Sequence, residues 1–275
     1  MREFLRPFVP RAVRTFVRHP LAPLVSRLHG VRHRLIGPVR VDLTPEWTVR
    51  AHPEAVHAFR IHAGDPLYRR ELQTFMSACT PGMHLIDVGA SFGVFTLAAL
   101  HYGGADARVT AVEPSPSARR ILTANLDAAG VASRVHIVSE ALSTPDAATV
   151  AVLPTGAGQA HMMVRGASGR PDVTPVRATT LDAIAEEHPP THVKIDVEGF
   201  EQEVLRGATQ TLRRDRPVVF LELHCGLLRQ LGEDPAACLS LLRECEYARF
   251  EMDGAPADDA AILGAHIANL VCRVS

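Results

Sequence analysis

The chain has 275 residues, of which 47% are hydrophobic and 21% are charged, and its formal net charge at pH 7 is −1. The apolar content is enough for a folded core, and a net charge near zero gives no general attraction to nucleic acid. No apolar run approaches the roughly 20 residues that a membrane-spanning helix requires. Five cysteines without a C-x-x-C pair argue against a disulfide framework or a zinc site, so we expect a reducing, cytoplasmic location.

Residues 1–40 form a basic segment that differs from the rest of the chain, with nine arginines and a single acid, Glu3. Apolar residues at nearly helical spacing predict a helix over residues 10–19, which Pro20 ends. One interpretation is an amphipathic segment that makes a peripheral contact with a membrane or with an acidic protein. The other, which we favour, is a helix that packs on the core with its arginines in solvent. We therefore divide the chain into a basic N-terminal extension, 1–40, and one domain, 41–275.

Residues 41–83 are expected to lead into the centre of this domain. Their pattern predicts a strand at 47–50 and a helix at 66–79, and a Thr-Pro-Gly turn closes the segment.

The central unit of the domain begins with the apolar run 85–88, which predicts a buried strand. The run is broken between Gly89 and Gly93, and residues 94–100 continue with a helical pattern. Such a turn lets the backbone approach a ligand, and the new helix directs its free N–H groups and positive dipole end into the same space. Strand, turn and helix together predict the first half of a nucleotide-binding βαβ unit.

The ligand is not expected to be a dinucleotide, because Ser91 occupies the position where a pyrophosphate requires a second glycine. Asp87 at the strand end would also repel a pyrophosphate. S-adenosyl-L-methionine carries an ammonium and a sulfonium and no phosphate, so an acid beside a helix N-terminus suits it. The next predicted strand, 109–112, leads into Glu113, which is placed to accept hydrogen bonds from two ribose hydroxyls. These residues favour an adenosine ligand and methyl transfer.

The full set of predicted cofactor-binding residues lies at the ends of three strands. It consists of Asp87, Gly89, Ala90, Ser91, Gly93, Glu113, Pro114, Glu140 and Ala141. Glu140 is expected to accept a hydrogen bond from the exocyclic amine of adenine.

Strands and helices alternate through the rest of the chain, which is typical of a parallel sheet with ligands at the carboxyl ends of its strands. Residues 147–176 differ, because two apolar runs flank a glycine-rich turn and predict a β-hairpin inserted over the ligand-binding edge. This insertion separates a cofactor half, about 84–145, from an acceptor-side half, about 180–275. Further strands are predicted at 134–138, 192–196, 218–224, 248–252 and 266–274. Further helices are predicted at 115–129 and 235–245, together with one that begins at residue 180 and one that includes residues 204–205.

One block in the acceptor-side half is specific. Residues 193–201 have the sequence VKIDVEGFE, and VLRGA follows at 204–208. With the DVGASFG sequence that begins at Asp87 and the pair Glu113-Pro114, this block resembles the FkbM-type methyltransferases over about residues 64–224. The resemblance implies a Rossmann-like class I methyltransferase sheet, mostly parallel and seven-stranded, with helices on both faces. It also implies S-adenosylmethionine-dependent O-methylation of a small-molecule or saccharide acceptor, commonly a sugar or secondary metabolite, and not of nucleic acid.

Methyl transfer to a hydroxyl requires alignment of the two reactants and a base for one proton. Four catalytic candidates follow the predicted strands: Asp196, Glu198, Glu222 and His224. His224 is favoured as the base because its ordinary pKa lies nearest neutrality, while Asp196 would otherwise hold the cofactor's ammonium or orient the acceptor. Glu198 as a helix cap and His224 as a strand-end residue without a catalytic role are equal alternatives. The four also offer metal ligands, but their spacing requires no metal and we assign none.

Two other functions fit the same pattern. A non-catalytic module that binds an adenosine ligand as a scaffold is disfavoured by the intact acids at every strand end. A nicotinamide-dependent oxidoreductase is disfavoured by Ser91 in place of the second glycine.

Overall fold

The computed structural model describes residues 37–154, 161–164 and 174–275. The helix predicted at 10–19 and most of the basic N-terminal extension therefore lie outside the described residues. The first strand begins at Val39, so the boundary proposed after residue 40 falls inside it. The chain begins with β1 (Val39–Thr44), β2 (Trp47–Ala51), α1 (Val56–Gly64) and α2 (Pro66–Ala78).

The predicted strand and helix of the lead-in segment are confirmed as β2 and α2. Asp65 caps α2 by accepting a hydrogen bond from the Leu67 backbone N–H, and Pro66 occupies the first helical position. Strand β1, which pairs with β2 in antiparallel fashion, and helix α1 were not predicted.

The central βαβ unit is confirmed. It consists of β3 (His84–Val88), α3 (Val94–Tyr102), β4 (Arg108–Val112), α4 (Pro116–Ala129) and β5 (Val135–Val138). Ser115 caps α4 by accepting a hydrogen bond from the Ala118 backbone N–H, as the Ser-Pro pair indicates.

The predicted inserted hairpin is part of a larger structure. The next strands are β6 (Ala141–Leu142), β7 (Thr149–Pro154), β8 (His161–Val164) and β9 (Thr174–Thr179). Strands β7 and β8 pair in antiparallel fashion as expected, but all four strands form one sheet in the order β6-β9-β7-β8. The predicted hairpin of β7 and β8 is therefore confirmed, and β7 additionally pairs with β9. Residues 155–160 and 165–173 lie outside the described part.

The acceptor-side half completes the main sheet. Its elements are α5 (Leu181–Ile184), β10 (His192–Ile195), α6 (Glu201–Arg206), α7 (Thr209–Asp215), β11 (Val218–Leu223), α8 (Cys225–Gln230), α9 (Ala236–Glu244), β12 (Tyr247–Met252), β13 (Ala255–Pro256), α10 (Asp259–Gly264) and β14 (Ala268–Val274). Thr180 caps α5 through its side chain.

The main sheet has the strand order β13-β12-β14-β11-β10-β3-β4-β5. Strands β11, β10, β3, β4 and β5 are parallel, and β14 pairs in antiparallel fashion with both β11 and β12. The mostly parallel Rossmann-like class is confirmed. The sheet has eight strands rather than the predicted seven, because the short strand β13 extends the β12 edge.

The central strands are buried on both faces. In β3, Leu85 belongs to one hydrophobic cluster, and Ile86 and Val88 belong to the other. This burial explains why the strand is a continuous apolar run rather than an alternating one. All five cysteines are free, and no helix within the described ranges is long and apolar enough to cross a membrane.

Strands β3 and β10 approach closely just past their carboxyl ends. Gly89 has a φ of +83°, and a Cβ at this position would lie 1.9 Å from the backbone oxygen of Asp196. Only glycine therefore fits this position. From the sequence, the turn was expected to let the backbone approach a ligand; in the structure, Gly89 also lets it approach the neighbouring strand end.

We expect Gly89→Ala to destabilise the protein far more than Gly104→Ala. Both glycines have left-handed backbone angles, with φ of +83° and +79°, but a Cβ at Gly104 would meet no atom within 4 Å. Gly104→Ala should lower the free energy of unfolding by about 1–2 kcal/mol through backbone strain alone, and Gly89→Ala should lower it by more than about 4 kcal/mol. Chemical denaturation of both variants measures the difference, and equal losses would contradict the close approach.

Candidate active site

A cavity of about 970 Å³, including its open mouth, lies at the carboxyl ends of β3, β4 and β10. Eight of the predicted site residues line it: Gly89, Ala90, Ser91, Glu113, Pro114, Ala141, Asp196 and Glu198. The strand ends therefore bring most of the predicted cofactor-side residues and two of the four acceptor-side candidates to one cavity, whereas Glu222 and His224 do not line it.

The carboxylate of Glu113 stands on the cofactor side of this cavity. Its two oxygens accept hydrogen bonds from the backbone N–H groups of Ser91 and Ser115, each at 2.8 Å. Burial raises the pKa of Glu113 to about 7, although both hydrogen bonds oppose the shift. Each oxygen keeps a second lone pair, so the carboxylate can still accept from a bound ligand.

Two residues in the cavity wall have left-handed backbone angles without being glycine. The φ angles are 48° at Ser91 and 46° at Glu198. Such conformations are uncommon for residues with a side chain and concentrate at ligand-binding sites. Ser91 lies in the turn after β3, and Glu198 follows the neighbouring strand β10.

Three predicted cofactor-binding residues do not line the cavity. Asp87 is 2% exposed and accepts a hydrogen bond from Thr96 Oγ1 at 2.6 Å, so it ties the end of β3 to α3. Gly93 is the N-cap residue of α3. Glu140 is also absent from the wall, whereas its neighbours Ala141 and Leu142 belong to it.

Sequence reasoning missed part of the wall. The missed residues include Ala58, His62, Phe92, Phe95, Leu142 and Val197. His62 is held by a 2.9 Å contact between its Nδ1 atom and the carbonyl oxygen of Ala58, and its ring packs edge-on against Phe95. A single histidine on an unpredicted helix gave no signal in the sequence.

A buried lysine stands behind the acceptor side of the cavity. Lys194 is 1% exposed, and its Nζ lies 2.8 Å from Glu71 Oε1, 3.7 Å from Glu222 Oε2 and 3.9 Å from Asp196 Oδ2. The same Nζ lies 4.6 Å from the centroid of the Phe95 ring. Burial alone would lower the pKa of Lys194, but the three carboxylates outweigh it and raise that pKa above its usual range.

His224 is held by a second buried acid, Glu201. Its Nδ1 lies 2.7 Å from Glu201 Oε1, which also accepts a hydrogen bond from the Gly199 backbone N–H, and its Nε2 lies 3.6 Å from Glu222 Oε1. Burial lowers the pKa of His224, but the bond to Glu201 and the neighbouring acids raise it to about 9. The imidazole is then protonated at neutral pH, which removes the reason for preferring His224 as the base.

The pKa of Glu198 lies closer to neutrality than that of His224. Burial, with a smaller contribution from Asp196, raises the pKa of Glu198 to about 7. Its side chain forms no hydrogen bond with the described residues, and α6 begins three residues later at Glu201. The alternative in which Glu198 caps this helix is therefore not observed.

The comparisons with known proteins agree with the sequence resemblance. A family model described as "Methyltransferase FkbM domain" matches residues 87–248, more than half of the chain. No curated protein matches.

Several solved structures are similar. A methyltransferase FkbM from Methylobacillus flagellatus is 14% identical, covers 81% of this chain and has a TM-score of 0.46; this chain covers 55% of its length. An S-adenosylmethionine-dependent O-methyltransferase from Thermotoga maritima is 11% identical, with coverage of 87% and 78% and a TM-score of 0.46. A precorrin-6y C5,15-methyltransferase from Geobacter metallireducens is 14% identical, with coverage of 74% and 86% and a TM-score of 0.43.

We expect Asp87 to make the ligand-free protein less stable as the pH rises. Burial raises the pKa of Asp87 to about 6, above its value of about 3.9 in an unfolded chain, so its stabilising effect is complete below pH 4 and is lost as the pH rises through 6. The side chain in Asp87→Asn can still accept the hydrogen bond from Thr96. This variant should remove the pH-dependent loss of unfolding free energy, which is on the order of 2–3 kcal/mol. Denaturation from pH 4 to pH 8 measures it. The exposed control Asp106→Asn should keep the wild-type pH dependence, and an unchanged profile in Asp87→Asn would contradict the burial effect.

Proposed function

Because this chain belongs to the FkbM methyltransferase family, we propose that it transfers the methyl group of S-adenosyl-L-methionine to a hydroxyl oxygen of a sugar or secondary metabolite. The observation that carries the proposal is one cavity with Glu113 on one side and the acids Asp196 and Glu198 on the other. Glu113 is suited to an adenosine ligand, and the pair Asp196 and Glu198 is suited to a hydroxylated acceptor.

The residues on the cofactor side fit S-adenosyl-L-methionine. Glu113 has unused lone pairs for two ribose hydroxyls, and the turn from Gly89 to Phe92 forms part of the same wall. When bound, this cofactor supplies a methyl group on a sulfonium, which leaves as a neutral thioether. The protein therefore has to bind the reactants, exclude water and accept one proton.

Glu198 is the group best placed to accept this proton. It lines the cavity, it is partly buried, and its carboxylate is not engaged in a hydrogen bond with the described residues. As the new C–O bond forms, the O–H bond of the acceptor breaks and its proton passes to the carboxylate of Glu198. Asp196, in the same wall, is placed to accept a hydrogen bond from the acceptor and orient it.

The charge of the wall supports a neutral acceptor. Asp196 and Glu198 present carboxylates that hydrogen-bond hydroxyl groups and repel phosphates. A saccharide or a hydroxylated small molecule suits this wall, and a nucleic acid does not.

We expect Glu113→Ala to weaken the binding of S-adenosyl-L-methionine by about 10²–10⁴-fold, because two ribose hydroxyls would each lose a charged acceptor worth roughly 1.5–3 kcal/mol. Isothermal titration calorimetry measures the affinity. Glu140→Ala is a matched control, since this neighbouring acid does not line the cavity, and its affinity should not change. Unchanged binding in a folded Glu113→Ala protein would overturn the ribose assignment.

We expect Glu198→Gln to lower kcat by about 10²–10⁴-fold and to leave cofactor affinity nearly unchanged, because glutamine keeps the shape and removes the basicity. Formation of S-adenosylhomocysteine measures the rate, with the acceptor first identified by mass spectrometry in a screen of saccharides and hydroxylated metabolites. The exposed control Glu187→Gln should turn over normally. Wild-type kcat in the Glu198 variant would show that the proton goes elsewhere.

A further inference from the structure

Three side chains behind the acceptor wall are arranged around a common point. One donor atom from each of Asp196, Glu222 and His224 lies within 4.8 Å of the other two. These residues, called the triad below, come from the ends of the adjacent parallel strands β10 and β11. Such spacing allows all three to bind one ion, provided that their remaining contacts leave the donor atoms available.

Glu222 is the first sign that a ligand belongs here. Its side chain is 6% exposed and forms no hydrogen bond with the described residues. Its Oε1 lies 3.6 Å from His224 Nε2 and its Oε2 lies 3.7 Å from Lys194 Nζ, so two cationic groups stabilise it at ion-pair distance. Neither contact is a hydrogen bond that would occupy the lone pairs of the carboxylate, so both oxygens remain available to a ligand.

The support of His224 is a second and independent sign. Its Nδ1 is engaged with Glu201 at 2.7 Å, which leaves Nε2 facing Glu222, and a cation bound there would displace the proton that Nε2 carries at neutral pH. Histidines that bind metals characteristically donate their other ring N–H to a carboxylate in this way. Glu201 is itself fully buried and is fixed by the Gly199 backbone N–H.

The charges near the triad leave room for a divalent ion. Lys194 lies 2.8 Å from Glu71, and it also lies 3.7 Å from Glu222 and 3.9 Å from Asp196. Three carboxylates therefore share one ammonium, and a divalent cation between Asp196 and Glu222 would offset the excess negative charge. The Asp196 side chain is 34% exposed and lines the cavity, so water or an acceptor oxygen can complete the coordination.

We infer that Asp196, Glu222 and His224 bind a divalent cation on the acceptor side of the cavity, with Glu201 positioning the imidazole. Two carboxylates and one imidazole suit Mn²⁺, since Ca²⁺ and Mg²⁺ favour oxygen-only sites and structural zinc sites favour thiolates. Binding of the cation is independent of methyl transfer. Its use in placing an acceptor hydroxyl rests on the proposed function.

The test is titration of MnCl₂ into the full chain, after treatment with a chelator and dialysis, without S-adenosyl-L-methionine. Calorimetry should give one site per chain. His224→Ala and Glu222→Gln should each lower the affinity for Mn²⁺ at least about 10-fold. Glu201→Gln should lower it by about 10–100-fold, as expected for a group that orients a ligand. The exposed controls His136→Ala and Glu187→Gln should bind as the wild type does.

A spectroscopic measurement keeps the inference testable if a variant fails to fold. Pulsed electron paramagnetic resonance of the wild-type Mn²⁺ complex should show coupling to an imidazole nitrogen. The site would be overturned if the wild type did not bind Mn²⁺ at one site, or if the bound Mn²⁺ showed no coupling to nitrogen. Equal losses of Mn²⁺ affinity in the control variants would also overturn it. Titration of S-adenosyl-L-methionine into the same metal-free protein separates the two proposals, because the cofactor should bind there even if Mn²⁺ does not.

Discussion

The site depends on one buried cation. Lys194 lies in a central strand of the sheet and is 1% exposed, and its ammonium meets Glu71 from α2, Glu222 from β11 and the ring of Phe95 from α3. Each of these acids would be strongly disfavoured as an isolated buried charge. Lys194 therefore stabilises several buried carboxylates beside an apolar sheet, and it joins the lead-in helix α2 to β10 and β11, which carry the proposed catalytic and cation-binding residues.

A second constraint couples the two sides of the cavity. The turn that contains Gly89 and Ser91 lies against the backbone of Asp196, close enough to exclude a Cβ at Gly89. Ser91 also donates its N–H to Glu113. A displacement of the turn would therefore disturb both Glu113 and the end of β10.

Most of the architecture could be predicted from the sequence because its signals are local. Three examples are the apolar run of β3, the Ser115 cap of α4 and the FkbM-like block around Asp196. Each of these signals is formed by residues that are close together in the sequence. Contacts between residues far apart could not be predicted: Glu71 meets Lys194, and Glu201 holds His224. The same limit explains Asp87 and Glu140, because a strand-end position does not specify whether a carboxylate points into the cavity, the core or solvent. The basicity assigned to His224 failed for a related reason, since the pKa depends on the buried acid beside it.

The position of β14 has a consequence for biosynthesis. This strand lies between β11 and β12, although the ribosome makes it after both of them. Until residues 268–274 have been synthesised, the backbone groups on one side of β11 have no partner, and β12 has no neighbour through which to join the sheet. The nascent chain can assemble β3, β4, β5 and β10 earlier, but it must carry an open apolar edge beside Glu222 until the last strand is inserted. The last contacts of the main sheet to form on the β11 side are therefore set by strand order and not by the stability of the individual strands.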